Sequence, residues 1–239
     1  MVFYILLNLV LIVTLTLAVD PDLIMYLPMD EGSGDTVKDL SSNKFEGKIT
    51  GKDFKWIDGQ KGKGLEFVSG THIQIPDNKL LDGMKTLTIE IWVRQDTHQN
   101  TNLVLKGVNW PGLSYLLQPW GDQQVYWGVN QVDSRAIAPA GSYPLKKWYH
   151  LAAVFDGQDL ILYIDGVEKS KAKAPVNIVP DTGEPLELGK LFTGAIDEFV
   201  MYNRALKPAE ITSDMGGVVM AVNSSKSLTT TWGSLKMNR

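Results

Sequence analysis

The run GAIDEFVMYNRAL, residues 194–206, sets two carboxylates side by side, Asp197 and Glu198, inside an otherwise apolar stretch. Adjacent acids can serve acid–base chemistry, hold a metal, or simply end a strand. Neighbouring side chains on a strand point to opposite faces. Unbroken alternation therefore groups Asp197 with Phe199 and Met201 on the core side, and Ile196, Glu198, Val200 and Tyr202 on the other. On that geometry the two acids cannot act together on one bond. A carboxylate on a core-facing side is costly unless backbone N–H groups or a cation compensate it. The loop MDEGSGDTVKDLSSN offers Asp30, Glu31, Asp35, Asp39 and Asn43, oxygen donors of the kind calcium takes, but without the spacing of an EF-hand. A cation and a hydrogen-bonded acidic turn both fit these residues.

A second set of residues suits sugar recognition, which needs flat aromatic faces for pyranose rings and amides or acids for hydroxyls. NWPGLSYLLQPWGDQQVYWGVNQVDSR places Trp110, Trp120, Tyr126 and Trp127 among Gln118, Asp122 and Gln124. Trp110 and Trp120 fall in Pro/Gly loops and are expected to be exposed. Tyr115 and one of Tyr126 or Trp127 are expected in the core. In LTIEIWVR, Leu87, Ile89, Ile91 and Val93 form the core face, and Glu90 joins Trp92 and Arg94 on the mixed face. His150, in WYHLAAVF, reads as an ordinary hydrogen-bonded strand histidine.

Hydrolytic chemistry finds less support. A retaining glycosidase needs two carboxyls roughly 5 Å apart, and no single strand here carries such a pair on one face. Convergence of acids from different strands, Glu90 with Asp122 or Asp133 foremost, would supply one. There is no G-x-S-x-G motif, and the three histidines form no zinc pattern. GEPLELGK lacks the Ser or Thr of a phosphate loop and reads as a strand.

The elements that must position these residues are short, β-branched or aromatic runs separated by turn formers, from LIMYLPM to AIDEFVMYN. Asp165-Gly166 between DLILYID and VEK marks a tight hairpin. The one helix signal is Pro208–Asp214, with Pro208 at its start and Glu210 at the positive end of its dipole. This predicts an all-β fold, a two-sheet antiparallel sandwich or barrel. The 239 residues carry a net charge of −4 with no concentrated basic run, which argues against nucleic acid or an anionic membrane surface as partner. Residues 1–18 are apolar and end in Thr16-Leu17-Ala18, the pattern of a cleaved secretory signal, with an uncleaved anchor as the alternative. Cysteine is absent, so disulfides and thiolate metal sites are excluded. An exported domain without disulfides fits a bacterial source. Residues 19–214 are expected to form the domain, and 215–239, rich in small and hydroxyl residues, a C-terminal tail.

Several segments together resemble the LamG-like jelly-roll domains of the concanavalin A-like lectin/glucanase superfamily, the laminin G-like family. They are LIMYLPMDEGSGDTVKDLSSN, WIDGQKGKGLEF, HIQI, LTIEIWV, WYHLAAVFDGQDLILYIDG and LELGKLFTGAIDEFVMYNRALKPAEI. The resemblance implies a two-sheet antiparallel jelly roll, and a structural calcium where the loop after the first strand meets the last strand. Carried over by position, its ligands would be Asp30, Asp39, Asn43 and Asp197. The chain departs from the family at LSSNKFEG, where Ser-Gly-Asn-Gly is usual. The resulting expectation is a secreted or surface-held, non-catalytic binding module. Its expected partner is a glycan or polysaccharide, with an adhesive role toward a surface protein as the alternative. The expected ligand-binding residues are Trp110, Trp120, Tyr126, Trp127, Glu90 and Asp122.

Overall fold

The computed structural model describes residues 20–68, 70–108, 112–130 and 134–218. Trp110, Asp133, the segment 1–18 and most of 215–239 therefore lie outside the described residues. The described chain forms one compact unit, Pro21–Val218.

Its strands, in chain order, are β1 (Leu23–Leu27), β2 (Thr36–Lys38), β3 (Glu46–Thr50), β4 (Phe54–Asp58), β5 (Lys63–Phe67), β6 (His72–Ile75), β7 (Leu87–Gln95) and β8 (Asn102–Gly107). There follow β9 (Leu113–Pro119), β10 (Val125–Val129), β11 (Ala136–Ala138), β12 (Trp148–Phe155), β13 (Asp159–Ile164), β14 (Val167–Lys173), β15 (Leu186–Lys190) and β16 (Gly194–Tyr202). A 3-10 turn (Lys79–Leu81) precedes β7, and an α-helix of two turns, α1 (Pro208–Asp214), follows β16.

Two antiparallel eight-stranded sheets pack face to face. The first runs β14-β13-β12-β7-β16-β5-β4, with β1 also pairing with β16; the second runs β11-β10-β9-β8-β15-β6-β3-β2. Sequential hairpins such as β8-β9-β10-β11 and β12-β13-β14 lie at the sheet edges, while the central pairs, β7-β16 and β8-β15 among them, join strands distant in sequence, as in a jelly roll. The hydrophobic alternation sets the faces as the sequence predicts. Leu87, Ile89, Ile91 and Val93 of β7, and Tyr149, Leu151, Ala153 and Phe155 of β12, join the core between the sheets. The DLILYID–VEK hairpin forms with Asp165 and Gly166 both at positive φ, the geometry of a tight primed turn. GEPLELGK contributes β15.

The outer face of the first sheet is not left to solvent. The segment 203–214 crosses it, tied down by Thr88, whose hydroxyl donates to Arg204 O at 2.7 Å and accepts the Leu206 N–H at 3.0 Å. Pro208 starts α1, and Glu210 reaches back to accept the Lys207 N–H at 2.8 Å, satisfying a helix-terminal donor. Ile211 and Leu206 are buried beneath it.

One strand departs from simple alternation. In β16 the register to β7 runs Ile196↔Val93 and Asp197↔Trp92, then resumes at Val200↔Glu90. Two residues, Glu198 and Phe199, stand opposite the single Ile91, which is a β-bulge. Glu198 takes the left-handed conformation, φ 52°, that the bulge demands. Alternation restarts one residue late beyond it, so Phe199 and Met201 remain in the core while Asp197 shares the outer face with Trp92. This corrects the expected grouping of Asp197 with Phe199 and Met201.

Candidate functional site

Asp197 and Glu198 nevertheless share a partner. Both are buried and both meet the turn Gly59–Gly62 that joins β4 to β5. The Lys61 N–H donates to Asp197 Oδ2 at 2.9 Å, and the Lys61 ammonium lies 3.5 Å from Glu198 Oε2. Tyr26 of β1 donates its hydroxyl to Glu198, 3.1 and 3.0 Å from the two oxygens. Asp30 approaches the same turn from the other side, accepting the Lys63 N–H at 2.7 Å. A Cβ on Gly59 would sit 2.5 Å from both Asp197 Oδ2 and the Lys63 carbonyl oxygen. Only glycine lets the turn approach this closely.

Asp197 Oδ1 is buried and has no hydrogen-bond partner. Desolvation, with the charges of Glu198 and Asp30 adding to it, pushes the Asp197 carboxyl up to about 7 against the pull of the Lys61 and Glu198 N–H groups. An orphaned oxygen on a carboxylate held near other acids, beside a backbone carbonyl, is a donor set suited to a hard cation.

The four candidate metal ligands therefore divide. Asp30 and Asp197 converge on the 59–63 turn. Asp39 instead spends both oxygens on four donors: Tyr26 N and Ser41 N on Oδ1, Ser41 Oγ and Phe45 N on Oδ2, at 2.6–3.0 Å. Asn43 turns its amide nitrogen to the carbonyls of Leu23 and Ile24. These two side chains clamp the loop to β1, the hydrogen-bonded alternative in the sequence reading. In the departing LSSNKFEG segment, Lys44 adopts φ 55°, a conformation more usual for glycine.

Another acidic cluster exists among the described residues. Carboxylate oxygens of Asp77, Asp82 and Asp181 lie within 4.8 Å of one another, close enough to hold a metal ion. A fully buried lysine already serves two of them: Lys106 Nζ stands 2.6 Å from Asp77 Oδ1, 3.0 Å from Asp82 Oδ2 and 2.6 Å from Glu184 O. A divalent ion there would face that ammonium at close range, a repulsion that favours the internal pair.

The aromatic candidates also sort themselves. Trp127 is fully buried, with Nε1 donating to Val154 O at 2.9 Å, and Tyr115 is likewise in the core. Trp127 thus belongs to the packing between the sheets, a correction to its place in the ligand set. Tyr126 points the other way, in register with Gln118 of β9 and Ile137 of β11 on the outer face of the second sheet. Trp120, in the β9–β10 turn, stacks on Tyr126 with centroids 5.2 Å apart and planes at 26°. The Arg135 guanidinium lies 4.8 Å from the Tyr126 centroid, and Tyr126 Oη donates to Gln124 Oε1 at 2.8 Å. Gln118 donates to Asn102 Oδ1 at 3.1 Å alongside. The turn is braced from below, with Gly121 N donating to Asn100 Oδ1 at 2.6 Å and His98 Nδ1 2.7 Å from Gly121 O. Asp122 is exposed at its tip, accepting the Gln124 N–H.

Glu90 is elsewhere. It lies on the outer face of the first sheet, fully buried beneath the 203–214 segment, and neither carboxylate oxygen has a hydrogen-bond partner. Burial and the neighbouring Asp214 push its carboxyl far up. Glu90 and Asp122 sit on opposite sheets, so they cannot converge on one glycosidic bond. His150, its neighbour on β12, is buried with Nδ1 unpartnered, and desolvation drives its ring down to about 3. It is not the ordinary hydrogen-bonded histidine expected.

Sequence reasoning missed Lys61, Tyr26 and the 59–62 turn. The signal for the turn was the glycine spacing of DGQKGKG. Nothing in the sequence marked the bulge.

Two stacked antiparallel sheets with an aromatic patch on one outer face define a jelly roll of the concanavalin A type. Residues 67–212 match the Laminin_G_3 family, described as the Concanavalin A-like lectin/glucanases superfamily, and the chain belongs to that family. No curated protein matches the chain. Among solved structures it resembles domain 4 of AbnA, an extracellular arabinanase from Geobacillus stearothermophilus, in complex with arabinotriose. The TM-score is 0.64 at 21% identity, covering 80% of this chain and 97% of that one. The binding domain of botulinum neurotoxin serotype G gives a TM-score of 0.66 at 16% identity, covering 81% of this chain and 50% of that one. A chain of botulinum neurotoxin type C, whose cell entry depends on interaction with two ganglioside molecules, gives 0.65 at 13% identity, covering 83% and 52%. This chain thus spans about half the length of the toxin binding domains. At these identities the likeness is one of fold. Among the described residues, no helix is long and apolar enough to cross a membrane.

Proposed function

We propose that the chain is a non-catalytic glycan-binding module, secreted or held at the cell surface, with its sugar platform at Trp120 and Tyr126. The observation that carries this reading is the stacked aromatic pair on an outer sheet face, flanked by Gln118, Gln124 and Arg135 and rigidly braced from below. Such a surface offers the apolar face of a sugar ring a flat partner and its hydroxyls several amides. Asp122, exposed at the tip of the same turn, would extend the platform. The arabinotriose-bound arabinanase domain and the ganglioside-dependent neurotoxin lend the reading support by analogy. The enclosure of Glu90, on the other sheet from Asp122, supports a module without hydrolytic activity.

A structural calcium ion is part of the proposal. Its ligands would be Asp197 and Asp30, with carbonyl oxygen from the 59–63 turn, and Asp39 and Asn43 would shape the adjoining loop. When bound, such an ion would supply the counter-charge that Asp197 lacks.

The test is depletion of the full chain from solution by a panel of insoluble polysaccharides, with calcium and with chelator, assaying released reducing sugar. Retention on a polymer without sugar release supports a lectin-like module. Sugar release would make it a hydrolase. Failure on every polymer would favour a protein partner and an adhesive role.

A further inference from the structure

Lys106 of β8 points toward the core between the sheets, a place lysine takes only when paired. Its register partners on either side, Tyr115 of β9 and Leu186 of β15, are core residues, and all three are fully shielded from solvent. The ammonium donates to Asp77 Oδ1 and to Glu184 O, each at 2.6 Å, and lies 3.0 Å from Asp82 Oδ2. Taking these charges out of water is costly, and their attraction alone often does no better than apolar packing would. An amine pressed against carboxyls in a dry setting is also a pair of reactants.

The two carboxyls differ in ways that give them different roles. Asp77 is partly exposed, and the Lys106 hydrogen bond holds its carboxyl below the usual range, so it stays ionised and can accept a proton. Asp82 is buried, and desolvation pushes its carboxyl up against the pull of Lys106 and Ser114. Its Oδ2 is buried and has no aligned hydrogen bond, so the lysine nitrogen rests against the carboxyl without bonding to it squarely. The Ser114 hydroxyl donates to the other oxygen, Asp82 Oδ1, at 3.1 Å, and Thr182 Oγ1 stands 3.0 Å from Ser114 Oγ. Asp181, the third carboxylate of the cluster, accepts the Gly183 N–H at 2.8 Å. An ionised acid beside the amine, a second carboxyl biased toward its neutral form and a hydroxyl on that carboxyl's oxygen are the parts of an acyl-transfer site.

We propose that Lys106 and Asp82 condense to an intramolecular isopeptide bond, with Asp77 as the proton carrier. Asp77 takes a proton from the ammonium, and the free amine attacks Asp82 Cγ while charge gathers on Oδ1 beside the Ser114 hydroxyl. The Nζ–Cγ bond forms and the Cγ–Oδ2 bond breaks. Asp77 hands its proton to the departing oxygen, which leaves as water, and takes up the second nitrogen proton. One ammonium, one carboxylate and one carboxylic acid become one amide, one carboxylic acid and one water, with no change in net charge and no further reactant. Well-oriented groups within one molecule react as though present at about 10⁵–10⁸ M, which is what drives a condensation that free amine and acid do not complete in water. The bond joins β8, inside the second sheet, to the end of the 3-10 turn that precedes β7 of the first. It closes the loop 82–106 in a chain without cysteine, and restrains the unfolded state as a disulfide does. The inference rests on neither the Trp120 platform nor the calcium site.

The test is tandem mass spectrometry of proteolytic peptides from the folded full chain, with Asp77→Asn and Ser114→Ala read alongside. The expected result is a branched peptide joining the segment that contains Asp82 to the one that contains Lys106, lighter than the two together by one water. Fragment ions should place the link at Asp82, and trypsin should no longer cut after Lys106. At equal times after synthesis the linked fraction should fall at least tenfold in Asp77→Asn, and fall also in Ser114→Ala. Circular dichroism establishes that each variant is folded. Only unlinked peptides from folded wild type overturn the proposal, as does a link at Asp77 or Asp181. An undiminished linked fraction in folded Asp77→Asn overturns its role as proton carrier. Should Asp77→Asn fail to fold, the wild-type peptides and Ser114→Ala decide the matter.

Discussion

The main-chain N–H of Lys61 donates to Asp197 Oδ2 at 2.9 Å, while the second oxygen of the same carboxylate is buried and unpartnered. That buried oxygen is left to a proton or a cation. This makes the stability of the domain depend on pH and, under the proposed calcium site, on that ion as well.

The sign of the pH dependence follows from the raised carboxyl. Unfolded, Asp197 loses its proton near the ordinary aspartate value of 3.8; folded and without metal, it keeps it to about 7. Its contribution to stability is therefore intact below about pH 4 and is lost progressively as pH rises to 7. In chelator, Asp197→Asn should match the wild type at pH 3.5 and melt above it at pH 7.5. With millimolar calcium at pH 7.5 the order should invert, because only the wild type gains a ligand-linked increment of stability. Thermal melts of both proteins at the two pH values check this. Equal calcium shifts in wild type and variant would remove Asp197 from the metal site.

Lys106 offers a contrasting case, an acidic cluster served from within. Replacing it with Met leaves Asp77 and Asp82 without their buried counter-ion, and loss of one partner from such a pair costs about 3–5 kcal/mol. Lys106→Met should lower the denaturation midpoint by a corresponding amount. It should also create a calcium-dependent stabilisation that persists in the Asp197→Asn background. Chemical denaturation with and without calcium measures both.

His150 titrates in the opposite sense to Asp197. Its ring is held down at about 3 by burial, against an ordinary 6.5 when unfolded. The unfolded chain takes up a proton that the folded chain refuses, so stability falls as pH drops from 6.5 toward 3. A His150→Gln variant should show a flatter acid limb, and the stability difference between the two proteins should shift against the wild type across that range. Urea denaturation at intervals between pH 3.5 and 7.5 reads it directly. A pH-independent difference would contradict the buried neutral ring.

Much of this architecture was legible in the chain. The alternation of LTIEIWV and WYHLAAVF assigned their core faces correctly, Asp165-Gly166 marked its hairpin, and Pro208–Asp214 forms the α-helix its sequence signalled. The site was less legible, because its geometry turns on a single extra residue. Nothing in the order Asp-Glu-Phe-Val announces that Glu198 will take φ 52° and shift the phase of its strand. The strand pairing sets that, through β7 and β1 on either side of β16. Tyr126 and Trp127 show the same limit from another side. Alternation required one of them to face the core, and only the pairing of Trp127 with Leu117 and Ala136 decided which.

The platform at Trp120 carries the central claim, and binding to a retained polysaccharide, measured as a depletion isotherm for wild type and Trp120→Ala, tests it most directly. Loss of one sugar-stacking ring removes apolar contact worth about 1.5–3 kcal/mol when fully buried, and should weaken binding by roughly tenfold or more. The melting temperature should change little, since Trp120 lies outside the core. A Trp120→Ala protein that binds the polymer as tightly as the wild type, or a wild type that no polysaccharide depletes, would contradict the account.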